Sequence, residues 1–227
     1  MKWGEEFHTL SRNFLPEPHC IHGHGWQRPW ELADITTDTI RMFFDFAGSR
    51  EGEGWPWSYR ATQSFTLHDA GVCITLSVEN LSDTPMPAGL GLHPYFPRSA
   101  ATRVRASVTH RWERGPDMVP IAPVETQPDP IVPPADGGLL DHGFAGWSGT
   151  AEITDEVGTT MMTADPSVFG HLVVFTPEGE DHLCVEPVSH AINGVNLAPY
   201  EGLDHGIRTL GPGETLAGWV RIDRIVG

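Results

Sequence analysis

Apolar and polar residues alternate along most of the chain, which is the pattern of β-strands with one buried face. Residues 65–68 and 72–78 alternate on both sides of Asp69-Ala70-Gly71, which predicts a hairpin in which Gly71 supplies the special turn conformation. Residues 103–112 predict one strand with an inward and a solvated face. Further strands are predicted over 35–46, 150–154, 159–163, 171–175, 183–186 and 216–225. The sequence shows no convincing helical stripe, so we predict an all-β fold.

Glycine and proline residues indicate how the chain is divided into strands and turns. Its 227 residues include 25 Gly and 20 Pro, which favours many short strands joined by turns. The Pro-rich run 116–134 predicts a long surface connection. Strand patterns of the same kind lie on both sides of it, so we favour a single domain over 1–227, with a linker between two domains as the alternative.

Charge and rare residues exclude several functions. The net charge is -16, from 14 basic and 30 acidic residues, which disfavours nucleic acid and anionic membranes as partners and is compatible with a neutral small molecule. The single lysine, Lys2, argues against Schiff-base and P-loop chemistry. Three cysteines without a CxxC motif, no membrane-spanning apolar stretch and no signal peptide favour a cytoplasmic protein.

Candidate chemistry is concentrated in three segments, 21–30, 89–96 and 184–193, each of which joins titratable groups to Gly or Pro. His93 could simply close a turn through a backbone hydrogen bond. Glu186 follows an apolar strand and precedes Pro187, so its carboxyl is expected to be buried, either in a structural bond or with a raised pKa. Together the imidazole and the carboxyl are a usual pair for general acid–base catalysis, but spacing alone cannot bring them together.

Two further residue types allow both structural and binding roles. Trp26, in the first segment, is either a core aromatic residue or an apolar platform for a sugar ring. Asp141 is either a turn residue or an acceptor for substrate hydroxyls.

These motifs, taken in order, resemble the aldose 1-epimerase (galactose mutarotase) family. The resemblance rests on His22-Gly23 followed by Trp30, on His93-Pro94-Tyr95-Phe96, on residues 140–144 (LDHGF) and on Val185-Glu186-Pro187. It implies a large antiparallel β-sandwich of the galactose mutarotase type, with the sugar in an open cleft on one sheet. It also implies interconversion of the α and β anomers of an aldose without a cofactor or metal.

The resemblance assigns roles to individual residues. Glu186 would be the general base that takes the proton of the C1 hydroxyl, and His93 the general acid that protonates the ring oxygen. Glu186 is therefore expected to be ionised while His93 is protonated. His22 would bond near C1, and Asp141 would accept sugar hydroxyls. Trp26 and Arg28 complete the candidate substrate-binding set, although Arg28 does not match the family's motif.

The chain departs from the family at its beginning, where several strands and a sugar-contacting arginine are expected before the His-Gly block. The protein is thus read as N-terminally shortened, with a strand edge that could pair with a second copy in a homodimer. A non-catalytic sugar-binding protein of the same fold is one alternative. Another is a cupin-like metal enzyme that uses His22, His24, Glu31 and His93, whose spacing matches imperfectly. An epimerase of phosphorylated sugars would need an arginine cluster, for which Arg103, Arg105 and Arg111 are candidates.

Overall fold

The fold is built from antiparallel strands in two large sheets. The computed structural model describes residues 1–49, 54–126, 131, 137–197 and 203–225, and within these ranges it contains strands and turns but no helix. None of these residues therefore belongs to a helix that could cross a membrane. The strands are β1 (Lys2–Trp3), β2 (Glu6–Phe7), β3 (Glu31–Ile35), β4 (Thr39–Phe46), β5 (Tyr59–His68), β6 (Gly71–Asn80), β7 (Met86–Ala88), β8 (Tyr95–Pro97), β9 (Arg103–Ala106), β10 (His110–Arg114), β11 (Pro120–Glu125), β12 (Leu140–Ala145), β13 (Thr150–Thr154), β14 (Thr159–Ala164), β15 (His171–Thr176), β16 (His182–Val188), β17 (Arg208–Leu210) and β18 (Thr215–Ile225).

The two sheets enclose an apolar core. The larger sheet has the order β3-β4-β5-β6-β18-β14-β13-β9, and the smaller has the order β11-β10-β12-β15-β16-β8. Val104, Met162 and Val220 from the larger sheet share one buried cluster with Leu172 and Val185 from the smaller. The predicted all-β sandwich is thus confirmed, and the opposite face of the smaller sheet is left to carry other side chains.

The predicted hairpin is present as β5–β6, with His68 paired to Gly71. Gly71 is required for a different reason from the one expected. Its φ is not in the left-handed region, but a Cβ at this position would lie 1.9 Å from the carbonyl oxygen of Ile222 on the neighbouring strand β18. The glycine therefore permits close approach of two strands rather than an unusual turn.

The single strand predicted over 103–112 is wrong. The chain leaves the larger sheet after β9 and enters the smaller sheet as β10. Val108, between the two strands, is 5% exposed, so the alternation of burial continues across the crossover and conceals it. As a result Arg103 and Arg105 lie on a different sheet from Arg111, and the arginine cluster required for phosphorylated sugars is not formed by these three residues.

The Pro-rich run is only partly a connection. It contains β11, the edge strand of the smaller sheet, where the missing N–H groups of Pro120 and Pro123 are tolerated. Residues 127–130 and 132–134 of this run lie outside the described part of the chain. At the far edge of the larger sheet, all five residues of β3 are exposed.

Candidate active site

The strand register brings His93 and Glu186 together. Cys184 on β16 pairs with Tyr95 on β8, and Val188 pairs with Gly91 in an isolated bridge of the same register. His93 lies midway between these two pairs, directly across from Glu186, and the neighbouring Leu92 N–H donates to the Pro187 carbonyl at 3.1 Å. Pairing of the two segments thus brings together two residues that are 93 positions apart in the sequence.

A glycine allows this approach. A Cβ on Gly89 would lie 1.9 Å from the ring of His190, so the segment can run this close to the chain after β16 only without a side chain there. The Leu90 N–H, one residue further on, is held at 2.8 Å by the Ser189 hydroxyl.

The acid–base pair is close and largely desolvated. His93 Nε2 lies 3.4 Å from Glu186 Oε1, and the Glu186 side chain is 9% exposed. The Tyr95 ring stacks on the His93 ring with their centroids 5.1 Å apart. The thiol of Cys184, two residues before Glu186, is within 4.8 Å of both reactive groups. The pair is therefore fixed by a rigid strand on one side and an aromatic ring on the other.

The environment shifts both pKa values in the direction that disfavours charge. Burial and the nearby Asp141 carboxylate raise the pKa of Glu186 to about 8. Burial and the neighbouring His22 lower the pKa of His93. At neutral pH these shifts favour the proton on Glu186 rather than on His93, which is the reverse of the distribution expected from the sequence. Both distributions contain one proton, and they differ only by its transfer across the 3.4 Å contact.

His22 joins this pair from the N-terminal loop. Its ring is perpendicular to the His93 ring, with 5.1 Å between centroids. Its backbone is left-handed, with φ 57°, and Gly23 continues the turn at φ 64°. A left-handed histidine is uncommon and is retained when the surrounding structure holds it, as often occurs at functional sites. Trp26 is 45% exposed and packs edge-on against His22, so it lies beside the site.

The loop is braced by a small hydrogen-bond network. The Asn13 side chain donates to the Ile21 carbonyl and accepts from the Ile21 N–H. Gln27 donates to the Asn13 carbonyl at 2.8 Å. His19 contacts the Asp117 carbonyl between β10 and β11, so the loop is tied to the smaller sheet at this point.

Asp141 lies on the same face of the smaller sheet, paired with an arginine that sequence reasoning missed. Extension of the β10–β12 register puts Arg114 opposite Asp141. The Arg114 Nη1 to Asp141 Oδ2 distance is 2.6 Å, and the two side chains are 15% and 24% exposed. Arg114 lies two residues after the buried Trp112, so alternation along a strand puts both side chains on the same face. This pattern could have indicated Arg114 only if the strand had been predicted to continue beyond Trp112.

The smaller sheet is apolar between the Arg114–Asp141 pair and the His93–Glu186 pair. Asp141, Phe175 and Cys184 are paired across three adjacent strands, and in the next row Gly143, Val173 and Glu186 are paired likewise. Because directly paired residues share a face, Phe175 lies between Asp141 and the acid–base pair. This arrangement gives a half-buried aromatic floor with polar groups on either side, which is a suitable shape for a sugar ring.

Arg28 and His24 belong to a different cluster. The Arg28 guanidinium lies over the Phe46 ring, 4.9 Å from its centroid, and the His24 ring stacks on the same Phe46 and contacts the Tyr59 hydroxyl at 2.8 Å. Arg28 therefore packs on the ring of Phe46, the last residue of β4, rather than on His93 or Glu186.

The metal set of a cupin is not assembled in the described part of the chain. Within it, two groups bring three potential ligand atoms within 4.8 Å of one another, and neither contains His24 or Glu31. One is the acid–base pair with Cys184. The other is the surface run Glu180–Asp181–His182.

Comparison with known proteins identifies the family. The aldose 1-epimerase family profile matches residues 2–223, so the chain belongs to the aldose 1-epimerase family. It is similar to the uncharacterized protein YphB of Escherichia coli K12, with 29% identity over 201 residues, which cover 83% of this chain and 67% of YphB.

Solved structures show the same fold. An Escherichia coli K12 protein provisionally named an aldose 1-epimerase superposes with a TM-score of 0.85 at 27% identity, covering 100% of this chain and 78% of the other. A galactose mutarotase-like protein from Clostridium acetobutylicum gives 0.84 at 20% identity, covering 100% and 75%. The galactose 1-epimerase of Lactobacillus acidophilus NCFM gives 0.72 at 16% identity, also covering 100% and 75%.

Proposed function

We propose that the protein is an aldose 1-epimerase that interconverts the α and β anomers of an uncharged aldose through the His93–Glu186 pair. The observation that carries the proposal is the 3.4 Å contact between an imidazole and a desolvated carboxyl beside a half-buried aromatic floor. Membership of the family and the position of Asp141 on the same face support it. The substrate is a free sugar, and the reaction consumes no co-reactant.

The reaction requires one proton to leave the sugar and one to enter it. Glu186, ionised, takes the proton from the C1 hydroxyl as the C1–O1 bond becomes a carbonyl. The bond from C1 to the ring oxygen breaks, and His93, protonated at Nε2, gives its proton to that oxygen. Rotation about C1–C2 presents the other face of the aldehyde, and the same steps run in reverse. In this proposal His22, whose ring contacts that of His93, bonds near C1, and Trp26 borders the cleft.

The reactive form is reached from the resting form without any proton from solvent. One proton moves from Glu186 to His93, so the net charge of the site does not change. Hydrogen bonds from sugar hydroxyls to Glu186 favour its ionised form and thereby promote this transfer when the substrate binds. The raised pKa of Glu186 keeps the proton within the pair at neutral pH.

Polarimetry of freshly dissolved α-glucose and α-galactose tests the proposal. Glu186→Gln and His93→Asn are each expected to lower the rate constant by about 10²-fold or more, because each removes one partner in proton transfer. His182→Asn is the matched control, since His182 also contacts the Tyr95 ring but lies four residues, or two repeats of the pleat, from Glu186 on β16. It should retain the wild-type rate.

Two results would contradict the proposal. Unchanged turnover in both active-site variants would remove the mechanism. A wild-type protein that accelerates mutarotation of no aldose, but binds sugars in calorimetry, would instead be a carbohydrate-binding protein of this fold.

A further inference from the structure

The cleft contains a guanidinium to which the family resemblance assigns no role. Arg114 lies across the strand pair from Asp141, and both side chains are largely buried on the face that carries Glu186. We propose that Arg114 is a specificity-determining residue, which orients the Asp141 carboxylate and donates hydrogen bonds to sugar hydroxyls at the end of the ring remote from C1. This inference rests on the proposed function and deepens it.

The Arg114–Asp141 pair leaves hydrogen-bonding capacity unused. A guanidinium has five N–H donors and a carboxylate has two acceptor oxygens. Within the described ranges, the one contact of Arg114 at hydrogen-bonding distance is that of Nη1 with Oδ2, at 2.6 Å. None of the Arg114 nitrogens is a buried atom without a partner, so the N–H groups that Asp141 leaves unused are open to solvent and can be reached by polar atoms of a ligand in the cleft.

The spacing suits a sugar ring. Asp141 on β12 and Cys184 on β16 are separated by one intervening strand, which corresponds to about 9–10 Å between backbones. A ring that lies over Phe175 with C1 at the His93–Glu186 pair directs its far hydroxyls towards Asp141 and Arg114. A hydroxyl both donates and accepts, so it can donate to the carboxylate while it accepts from the guanidinium.

This pair can distinguish epimers. A hydroxyl of the wrong configuration leaves a buried donor and a buried acceptor unpaired, and such sites discriminate more strongly than apolar pockets do. Because Asp141 already neutralises Arg114, the pair also offers no free positive charge to a phosphate or carboxylate on the sugar. Arg111, three residues earlier, is bound to Glu113 on the other face of β10 and adds no charge here.

The test compares Arg114→Gln and Arg114→Lys with Arg111→Gln as the matched control on the same strand. Calorimetric affinity and polarimetric kcat/KM are measured for glucose, galactose and their deoxy analogues, one hydroxyl at a time. Arg114→Gln is expected to lower kcat/KM for the preferred aldose by about 10- to 100-fold, since a hydrogen bond to a charged group is lost. On the analogue that lacks the contacted hydroxyl, the variant and wild type should be similar. Arg114→Lys should restore only part of the selectivity because it lacks the planar fork.

A pH profile gives a second readout that loss of packing would not produce. Without Arg114 the Asp141 charge is no longer neutralised, so the pKa of Glu186 should rise further and the alkaline limb of kcat/KM should move to higher pH. The titratable side chains that face Glu186 are those of His93, Cys184, Tyr95 and Asp141.

The outcomes separate this inference from the proposed function. Wild-type selectivity in Arg114→Gln, or an equal loss on every analogue, would overturn the role of Arg114 and leave the epimerase proposal standing. A wild-type protein with neither turnover nor aldose binding would overturn the proposed function before any variant is made.

Discussion

At the scale of single residues, Glu186 sets the pH range of the proposed reaction. The His93–Glu186 pair holds one proton between the lowered pKa of His93 and the raised pKa of Glu186, about 8. Above the higher value the pair has lost its only proton, and below the lower value it holds two. We therefore expect a bell-shaped profile of kcat/KM with its acid limb below pH 6.5 and its alkaline limb near pH 8.

Asp141→Asn tests the electrostatic origin of the alkaline limb. The Asp141 carboxylate contributes to the raised pKa of Glu186, so its removal should move this limb to lower pH, in addition to weakening sugar binding. Measurement of kcat/KM against pH by polarimetry reports the position of the limb separately from its height. Glu156→Gln, an exposed change on a turn, serves as the control. A limb that stays in place would mean that Asp141 does not act on Glu186 through its charge.

The sequence named both residues of the candidate acid–base pair, but it did not predict their protonation or their full surroundings. His93 and Glu186 could be named because each lies in a motif beside a Pro at the end of a strand pattern. The position of the proton could not be predicted, because it depends on burial and on Asp141 and His22, which are distant in sequence. Arg114 was missed because its partner Asp141 is identified only by the register between β10 and β12.

At the scale of elements, close strand packing imposes residue requirements that alternation does not reveal. Replacement of Gly71 by Ala should destabilise the protein by about 2 kcal/mol or more, since the new Cβ would overlap the Ile222 carbonyl oxygen, a backbone atom. Gly170→Ala is the matched control, because no atom lies within 4 Å of a Cβ there and its φ is not left-handed. Chemical denaturation measures both. Equal stability of the two variants would contradict the close approach of β6 and β18.

The sequence predicts a strand correctly where an alternating segment stays in one sheet. The prediction fails where the segment passes from one sheet to the other. Strands such as β13, β14, β15 and β18 agree with their predicted positions. The crossover between β9 and β10 was invisible because Val108 keeps the buried phase of the alternation. β11 was hidden by its prolines, which are compatible with a strand only at a sheet edge, and edge position is a property of the assembled sheet.

At the scale of the whole molecule, burial of titratable groups links stability to pH in two opposite ways. The pKa of Glu186 is raised from 4.5 to about 8, so the folded state binds its proton more tightly, and this contribution is lost as the pH rises from about 4.5 through 8. The pKa of His171 is lowered from 6.5 to about 4 by burial and by His190, which outweigh the opposing charge of Asp204. Its contribution is present above pH 6.5 and is lost as the pH falls towards 4.

These opposite slopes give a prediction for each group. Glu186→Gln should reduce the loss of unfolding free energy between pH 6.5 and 8, because the variant has no carboxyl to ionise in the interior. His171→Gln should reduce the loss between pH 6.5 and 4 by up to about 3 kcal/mol, the equivalent of the lowered pKa of a residue that is 5% exposed. Urea denaturation across this pH range measures both slopes. His110→Gln controls for loss of an imidazole, because His110 is a half-buried histidine on β10, two strands from β15 in the same sheet. If wild type and His171→Gln lose stability in parallel on acidification, His171 is not the group that links acid pH to unfolding. If Glu186→Gln follows the wild type above pH 6.5, the carboxyl is not desolvated to the extent that the proposed acid–base cycle requires.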